Sequence, residues 1–308
     1  MHFFIKLGLT AAIGGLVACG DDSESPGGAG QGGQSDGGAA AGGGGVGGDP
    51  QGGAPSGNYQ AVHDTLCAPE TRIGRISISG FPAAPVVQGD LWDSPDSFVG
   101  PPELENDTCA FYLFQDGNCA PCGGDETCSY QGECVPQRRT IKNGTLVVSA
   151  GEEEQTLSTD ATLGGISGEL TVGDAAAQFG MTLAWGDVTI ELAPLPFANE
   201  TLEGAQIITE SDEFDMPGAL DATWDAPAGG GHVVSTIPIN HHAAAATFTF
   251  CAAPAAAGAF HADAGMINPL AVITGLEFQG LTYAHFAAAE TPFGCVEFQF
   301  GEFVFAGF

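Results

Sequence analysis

Residues 178–192, QFGMTLAWGDVTIEL, decide the fold class of this chain. Apolar side chains occupy alternate positions on both sides of Gly186-Asp187, at residues Phe179, Met181, Leu183, Trp185, Val188, Ile190 and Leu192. Alternation with a period of two is typical of a strand with one buried face, and a two-residue Gly-Asp connection is typical of a hairpin turn. The stretch therefore predicts an antiparallel hairpin that packs on one side only.

Similar short runs flank this hairpin and predict further strands. They are Arg75–Ser79, Thr145–Ser149, Ala205–Thr209, Leu220–Trp224, His232–Ile239, Ala246–Cys251, Val272–Tyr283 and Cys295–Phe305. Gly and Pro clusters separate the runs, and a helical turn is expected only within residues 252–264. Short strands at regular spacing favour a β-sandwich or a barrel. We expect a mainly β chain whose residues 141–308 form an antiparallel β-sandwich.

The N-terminus has the pattern of an export signal over residues 1–18. Lys6 precedes twelve apolar or small residues, which are too few to cross a hydrocarbon core of about 30 Å. The segment ends in Leu16-Val17-Ala18-Cys19, which resembles the bacterial lipobox. The resemblance implies a lipid on the thiol of Cys19 and a membrane anchor. The alternative is an ordinary secreted protein cleaved near Ala18.

Residues 19–58 predict a flexible tether. Residues 20–58 contain 17 glycines in 39 positions and no apolar periodicity, so little burial offsets the entropy of ordering them. A Gly-rich coil of this length spans roughly 30–40 Å. The segment suits an arm that holds a folded domain away from a membrane.

Eight cysteines remain when Cys19 is set aside, an even number that favours disulfides in an oxidising compartment. They are Cys67, Cys109, Cys119, Cys122, Cys128, Cys134, Cys251 and Cys295. The first six lie in residues 59–140, which we interpret as a Cys-rich loop module. Zinc binding or redox chemistry at Cys119-x-x-Cys122 is the alternative. Cys251 and Cys295 lie at the ends of two predicted strands, and their side chains face equivalent sides of those strands. A disulfide between them is therefore plausible.

The charge balance is strongly acidic. Six Lys and Arg stand against 38 Asp and Glu, and residues 143–308 contain 21 carboxylates and no Lys or Arg. This composition excludes nucleic-acid binding by that region, because such binding depends on cationic side chains. Its carboxylates cannot pair with Lys or Arg inside the region, so Ca²⁺ or another divalent cation is a candidate ligand. No other cofactor is expected.

Histidines supply the candidate metal ligands. Five of the seven histidines lie in the last third of the chain, and His241, His261 and His285 are the candidates for a transition-metal site. No His-x-His or HExxH pair supports such a site. Nucleophile signatures such as G-x-S-x-G and S-x-x-K are also missing from the sequence.

Several motifs in the last half of the chain resemble a known family. These are Leu220-Asp-Ala-Thr-Trp224, Asp225-Ala-Pro227 with the glycines after it, Phe250-Cys251-Ala-Ala-Pro254 and Gly258-Ala-Phe260. Together they resemble a β-sandwich domain of Gram-negative surface lipoproteins, over roughly residues 143–305, that often follows a Cys-rich module. The resemblance implies an exposed lipoprotein and supplies no catalytic residues.

Signal, tether and resemblance together predict a lipoprotein anchored in the outer membrane and facing the periplasm or the cell surface. We expect a non-enzymatic protein that displays its β-sandwich to an unidentified protein or matrix partner. A lipoprotein that binds a divalent cation or a small ligand is the first alternative, and an extracytoplasmic hydrolase is the second.

Overall fold

The structure is a computed structural model that describes residues 65–305, except 83, 115–118, 120, 163, 210–217, 239–246 and 275–279. The chain divides into two units, residues 1–51 and 52–308, and every described residue belongs to the second. The predicted export signal, Cys19 and the glycine-rich segment lie outside the described residues. His241 and His242 do so as well.

The described residues are mainly β, which confirms the predicted fold class. The strands are β1 Arg72–Ser79, β2 Val86–Leu91, β3 Leu104–Glu105, β4 Cys109–Tyr112, β5 Glu126–Cys128, β6 Cys134–Pro136, β7 Thr145–Ala150, β8 Glu153–Ser158, β9 Ile166–Glu169, β10 Gln178–Trp185, β11 Val188–Pro196, β12 Gln206–Thr209, β13 Leu220–Thr223, β14 His232–Pro238, β15 Phe248–Pro254, β16 Ala259–Ala262, β17 Gly280–Thr291 and β18 Gly294–Phe305. A 3-10 helix covers Ala255–Ala257, and helix α1 covers Ala264–Thr274.

The predicted hairpin is formed by β10 and β11. Trp185 lies opposite Val188 in the antiparallel register, and Gly186 takes a φ of +51° in the turn between them. Glycine tolerates this left-handed conformation without a steric cost. The alternating apolar residues of β10 are buried, as the period of two requires. The hairpin pairs with β7, and β8 completes a four-stranded sheet in the order β11-β10-β7-β8.

A nine-stranded sheet forms the centre of the fold, in the order β3-β4-β15-β14-β17-β18-β1-β2-β9. Strands β1 to β4 come from residues 59–140, which the sequence assigns to a loop module, yet β1, β2 and β4 pair with strands from the second half of the chain. The pair β1–β18 is parallel, while the other pairs of this sheet are antiparallel among the described residues.

Two smaller sheets cover one face of the large sheet, which makes the architecture sandwich-like. The four-stranded sheet packs Phe179, Met181 and Leu183 against Phe298 and Phe300 of β18. The three-stranded sheet, in the order β12-β13-β16, packs against β14, β15 and β17. We call this covered side of the nine-stranded sheet its inner face, and the opposite side its outer face.

Helix α1 corrects the predicted strand over residues 272–283. The strand β17 begins only at Gly280, and Ala264–Thr274 is helical. Met266, Ile267 and Leu270 are buried at helical spacing, and the Thr249 hydroxyl donates to the Met266 carbonyl oxygen at 2.7 Å. The run is apolar nearly all round, so no periodicity separates it from a buried strand. No helix among the described residues has the length and apolar character needed to span a bilayer.

The eight cysteines form four disulfides: Cys67–Cys295, Cys109–Cys251, Cys119–Cys128 and Cys122–Cys134. The expectation of disulfides is therefore confirmed, but the bridge between Cys251 and Cys295 is wrong. Strands β14 and β17 lie between β15 and β18, a distance of about 14 Å at ordinary strand spacing. The two cysteines also point to opposite faces of the sheet. The two short-range bridges connect the segment around the hairpin β5–β6 to itself.

Candidate functional site

The outer face of the large sheet carries a buried carboxylate held between two arginines. Glu297 on β18 is fully buried, and Arg75 Nε donates to its Oε1 at 2.5 Å. Arg72 Nη1 lies 3.6 Å from the same oxygen, an ion-pair contact longer than a hydrogen bond. The backbone N–H of Cys67 donates to Oε2 at 3.2 Å. Two guanidiniums thus share one carboxylate, which leaves a surplus of positive charge at this point.

A bulge in β1 brings both arginines to the same face. Residues three apart on a regular strand point to opposite sides, because side chains alternate with a period of two. The register of β1 against β18 shifts between Arg72 and Gly74, so one extra residue is accommodated there. Bulges re-aim side chains in this way and often lie beside functional sites. A Cβ at Gly74 would lie 2.4 Å from the Asp90 carbonyl oxygen, so this position accepts only glycine.

Trp92 and Arg138 form the wall of a groove above these arginines. The Arg138 guanidinium carbon lies 4.3 Å from the centre of a Trp92 ring, and Arg138 Nη2 pairs with Asp96 at 2.9 Å. The backbone fixes this wall: Trp92 N–H donates to the Ile73 carbonyl oxygen at 2.8 Å, and Trp92 also bridges to Thr140. We call the recess formed by Arg72, Arg75, Trp92 and Arg138 the arginine groove.

The arginine groove has a volume of about 330 Å³ and is open to solvent. Its polar lining also includes Ser77, Gln88 and Asp90. The side chains of Arg72, Arg75 and Arg138 are 26%, 35% and 34% exposed. Two buried nitrogens, Arg72 Nη1 and Arg75 Nη2, have no hydrogen-bond acceptor among the residues that the structure describes. Burial, and then the neighbouring Arg75 charge, lower the pKa of Arg72, and the guanidinium still remains protonated at physiological pH.

This groove gathers a large share of the rare positive charge of the chain. Five of the six basic residues lie between 72 and 142, and three of those five line the groove. Asp90 in the lining, Asp96 beside Arg138 and buried Glu297 balance them. The formal charges at the groove therefore sum to zero, although Arg72 and Arg75 exceed Glu297 by one positive charge, within a chain of net charge −32. Sequence reasoning missed the site, because it requires β1 to pair with a strand more than 200 residues away.

The structure places His261 in a second ionic cluster. His261 Nδ1 lies 2.7 Å from Asp221 Oδ1, and Nε2 lies 3.4 Å from Asp263 Oδ1. We call these three residues the histidine cluster. It sits on the three-stranded sheet, and all three side chains are about half exposed. The hydrogen bond to Asp221 raises the pKa of His261, and the charge of Asp263 adds to the effect.

His285 lies elsewhere, on β17 of the large sheet. Burial lowers the pKa of His285, and burial together with the charge of His285 lowers the pKa of His232. Among the described residues, neither His261 nor His285 belongs to a trio of ligand atoms within 4.8 Å of one another. The trio that meets this distance is Cys119, Cys122 and Cys134, whose sulfurs take part in disulfides. The structure therefore does not bring the described histidine candidates together.

A larger recess of about 710 Å³ lies at the end of the four-stranded sheet. Its carboxylates accept hydrogen bonds from the surrounding loops: Glu153 Oε2 from the Gly173 N–H at 3.2 Å and Asp174 Oδ1 from the Ala176 N–H at 2.9 Å. These hydrogen bonds show that the two carboxylates stabilise the loops around the recess. The arginine groove, with guanidinium donors that the protein leaves unsatisfied, is the stronger candidate for ligand binding.

No protein-family model matches this chain, and no curated protein matches it. The function is therefore inferred from the chemistry of the groove and from the sequence patterns.

Proposed function

We propose that this chain is a lipid-anchored protein of the cell envelope that binds a partner or matrix component through its β-sandwich and catalyses no reaction. The observation that carries the proposal is the arginine groove, a recess on the outer face of the large sheet. Three arginines line it, and two of them have a buried nitrogen without an acceptor among the described residues. Arginines with unused donors in a preformed recess are typical of recognition sites for anionic groups.

The framework around the groove supports a binding role. The disulfide Cys67–Cys295 ties the chain before β1 to the strand that carries Glu297, and it joins residues 228 positions apart. Backbone hydrogen bonds fix both Trp92 and the segment that carries Arg138. A site held on strands in this way loses little entropy when a ligand enters. Four disulfides also suit a protein exported to an oxidising compartment.

The lipid anchor is tested by labelling cells that produce the full chain with radioactive palmitate. We expect label in the wild-type protein and in a Cys67→Ala/Cys295→Ala control, and none in Cys19→Ala. Cell fractionation should place the wild-type chain in the outer membrane. Equal labelling of wild type and Cys19→Ala would contradict the anchor.

The binding role is tested with the unlipidated chain and washed extracellular matrix from the producing cells. We expect the wild-type chain to cosediment with the matrix. An Arg72→Gln/Arg138→Gln variant should remain in the supernatant, and Arg139→Gln, outside the groove, should behave as wild type. Equal cosedimentation of all three proteins would contradict a role for the groove.

A further inference from the structure

We propose that the arginine groove binds the carboxylate of a singly charged, hydroxyl-bearing ligand of the size of one sugar acid. The inference deepens the function proposed above and depends on it for its biological setting, since a matrix component is one source of such a group. The groove supplies three separate constraints on the ligand: its charge, its size and the polar groups beside the charge.

The guanidiniums require an oxyanion. Arg75 uses its Nε for Glu297, and its Nη2 has no acceptor, while the Nη1 of Arg72 reaches only an ion-pair distance from the same carboxylate. Buried donors without acceptors are rare in proteins and call for a missing partner. The planar fork of an arginine matches a carboxylate in a bidentate geometry. A ligand carboxylate above Glu297 would balance the surplus charge of the arginine pair.

The negative electrostatic field of the whole chain disfavours ligands that carry many negative charges. The net charge of −32 repels polyanions, so nucleic acids and densely sulfated polymers are disfavoured as partners. Asp90 in the lining repels a second anionic group on the same ligand. One carboxylate on an otherwise neutral body fits these conditions.

Size and the remaining polar groups favour a compact body that carries hydroxyl groups. The volume of about 330 Å³ lies at the lower end of the range for ligand sites, which is roughly 300–1,000 Å³. Asp90 lies opposite Arg75 and Gln88 lies opposite Ser77 in the β1–β2 register, so both side chains share the face of Arg75. Both offer acceptors to hydroxyl groups of a ligand. Sugar acids combine one carboxylate with several hydroxyl groups in a body of this size.

The test titrates the full unlipidated chain with glucuronate and follows tryptophan fluorescence and calorimetric heat at constant ionic strength. Glucose, inorganic phosphate and sulfate serve as comparison ligands. We expect glucuronate to bind, and Arg72→Gln to raise its Kd by about tenfold or more, as loss of a charged hydrogen bond does. Arg138→Gln should also raise the Kd, because it removes a positive charge from the groove wall. Arg139→Gln is the matched control and should keep the wild-type Kd. Trp92→Phe should remove the fluorescence response and leave the heat signal.

Each outcome decides the proposal. Failure of glucuronate to bind the wild-type chain overturns it, as does a Kd that none of the groove variants changes. Tighter binding of phosphate or sulfate than of glucuronate, or equal binding of glucose, overturns the carboxylate assignment. The Arg138 guanidinium is about one third exposed and pairs with Asp96 and Trp92 at the wall of the groove, so its variant remains informative if Arg72→Gln does not fold. Anchoring is measured separately by the palmitate labelling of Cys19. Glucuronate binding together with an absence of label in cells would refute the envelope function and leave this inference standing.

Discussion

The arginine groove and the histidine cluster combine cationic and acidic side chains in opposite ways. In the groove, two arginines share one fully buried carboxylate; in the cluster, one half-exposed histidine lies between two half-exposed carboxylates. Water screens the second arrangement, whereas in the first the carboxylate is fully buried and only the arginines are partly exposed. Because its carboxylate is buried, the ionic group of the groove should contribute more to stability than the histidine cluster. It is also the group that contains buried donors without acceptors among the described residues.

The largest loss of stability is expected from a substitution of Glu297. Glu297→Gln leaves the charges of Arg72 and Arg75 without a carboxylate, which should lower the free energy of unfolding by about 3–5 kcal/mol. Denaturant unfolding measures this change. Glu290→Gln, an exposed residue near the end of β17, is the control and should change stability by less than about 0.5 kcal/mol. Similar losses in both variants would refute the special role of the buried carboxylate.

The disulfide beside the groove should contribute the next largest effect. Cys67→Ala/Cys295→Ala opens a link that spans 228 residues and frees the chain whose Cys67 N–H contacts Glu297. We expect a loss of about 2–4 kcal/mol in thermal or denaturant unfolding. Cys119→Ala/Cys128→Ala opens a link of nine residues and should cost less. A larger loss of stability from opening Cys119–Cys128 than from opening Cys67–Cys295 would contradict the greater stabilising role of the disulfide beside the groove.

The histidine cluster should have a small effect that depends on pH. Because Asp221 raises the pKa of folded His261, the protonated side chain adds stability at pH values below about 6.5, its unfolded pKa, and that contribution disappears as pH rises through the folded pKa. His261→Gln should therefore cost up to about 0.5 kcal/mol near pH 6 and almost nothing near pH 9. Urea unfolding of both proteins at the two pH values measures the difference. A cost that grows with pH would reverse the sign and refute the ion pairing.

Chelation should have the smallest effect. We expect EDTA to leave the Tm of the purified chain unchanged, since disulfides and packed sheets hold the described fold together. Differential scanning calorimetry before and after EDTA, with elemental analysis of the same sample, provides the measurement. A bound divalent metal and a lower Tm after chelation would favour the cation-binding alternative over the proposed function.

Local sequence patterns predicted a good part of the fold. The alternation around Gly186-Asp187 gave the hairpin β10–β11 because strand period and turn chemistry both act over a few residues. The run at Ala264–Thr274 is apolar on nearly every side, so its helical state was missed. Cysteine number and spacing predicted disulfides, but the partner of Cys251 depended on which strands are neighbours.

The candidate site could not be predicted from local patterns. Arg72 and Arg75 have the wrong spacing to share one face of a regular strand, and only the bulge against β18 aligns them. Their carboxylate, Glu297, lies 222 positions from Arg75 and comes from a region that contains no Lys or Arg. The composition correctly implied that such carboxylates cannot pair with Lys or Arg within that region. The identity of the distant partner required the tertiary structure.

A crystal structure of the chain with saturating glucuronate tests the central claim most directly. We predict a carboxylate in the arginine groove, with an oxygen within about 3.2 Å of a nitrogen of Arg72 or Arg75 and hydroxyl groups near Gln88 or Asp90. An empty groove at a glucuronate concentration that saturates the chain in solution, with the ligand bound elsewhere, would contradict it.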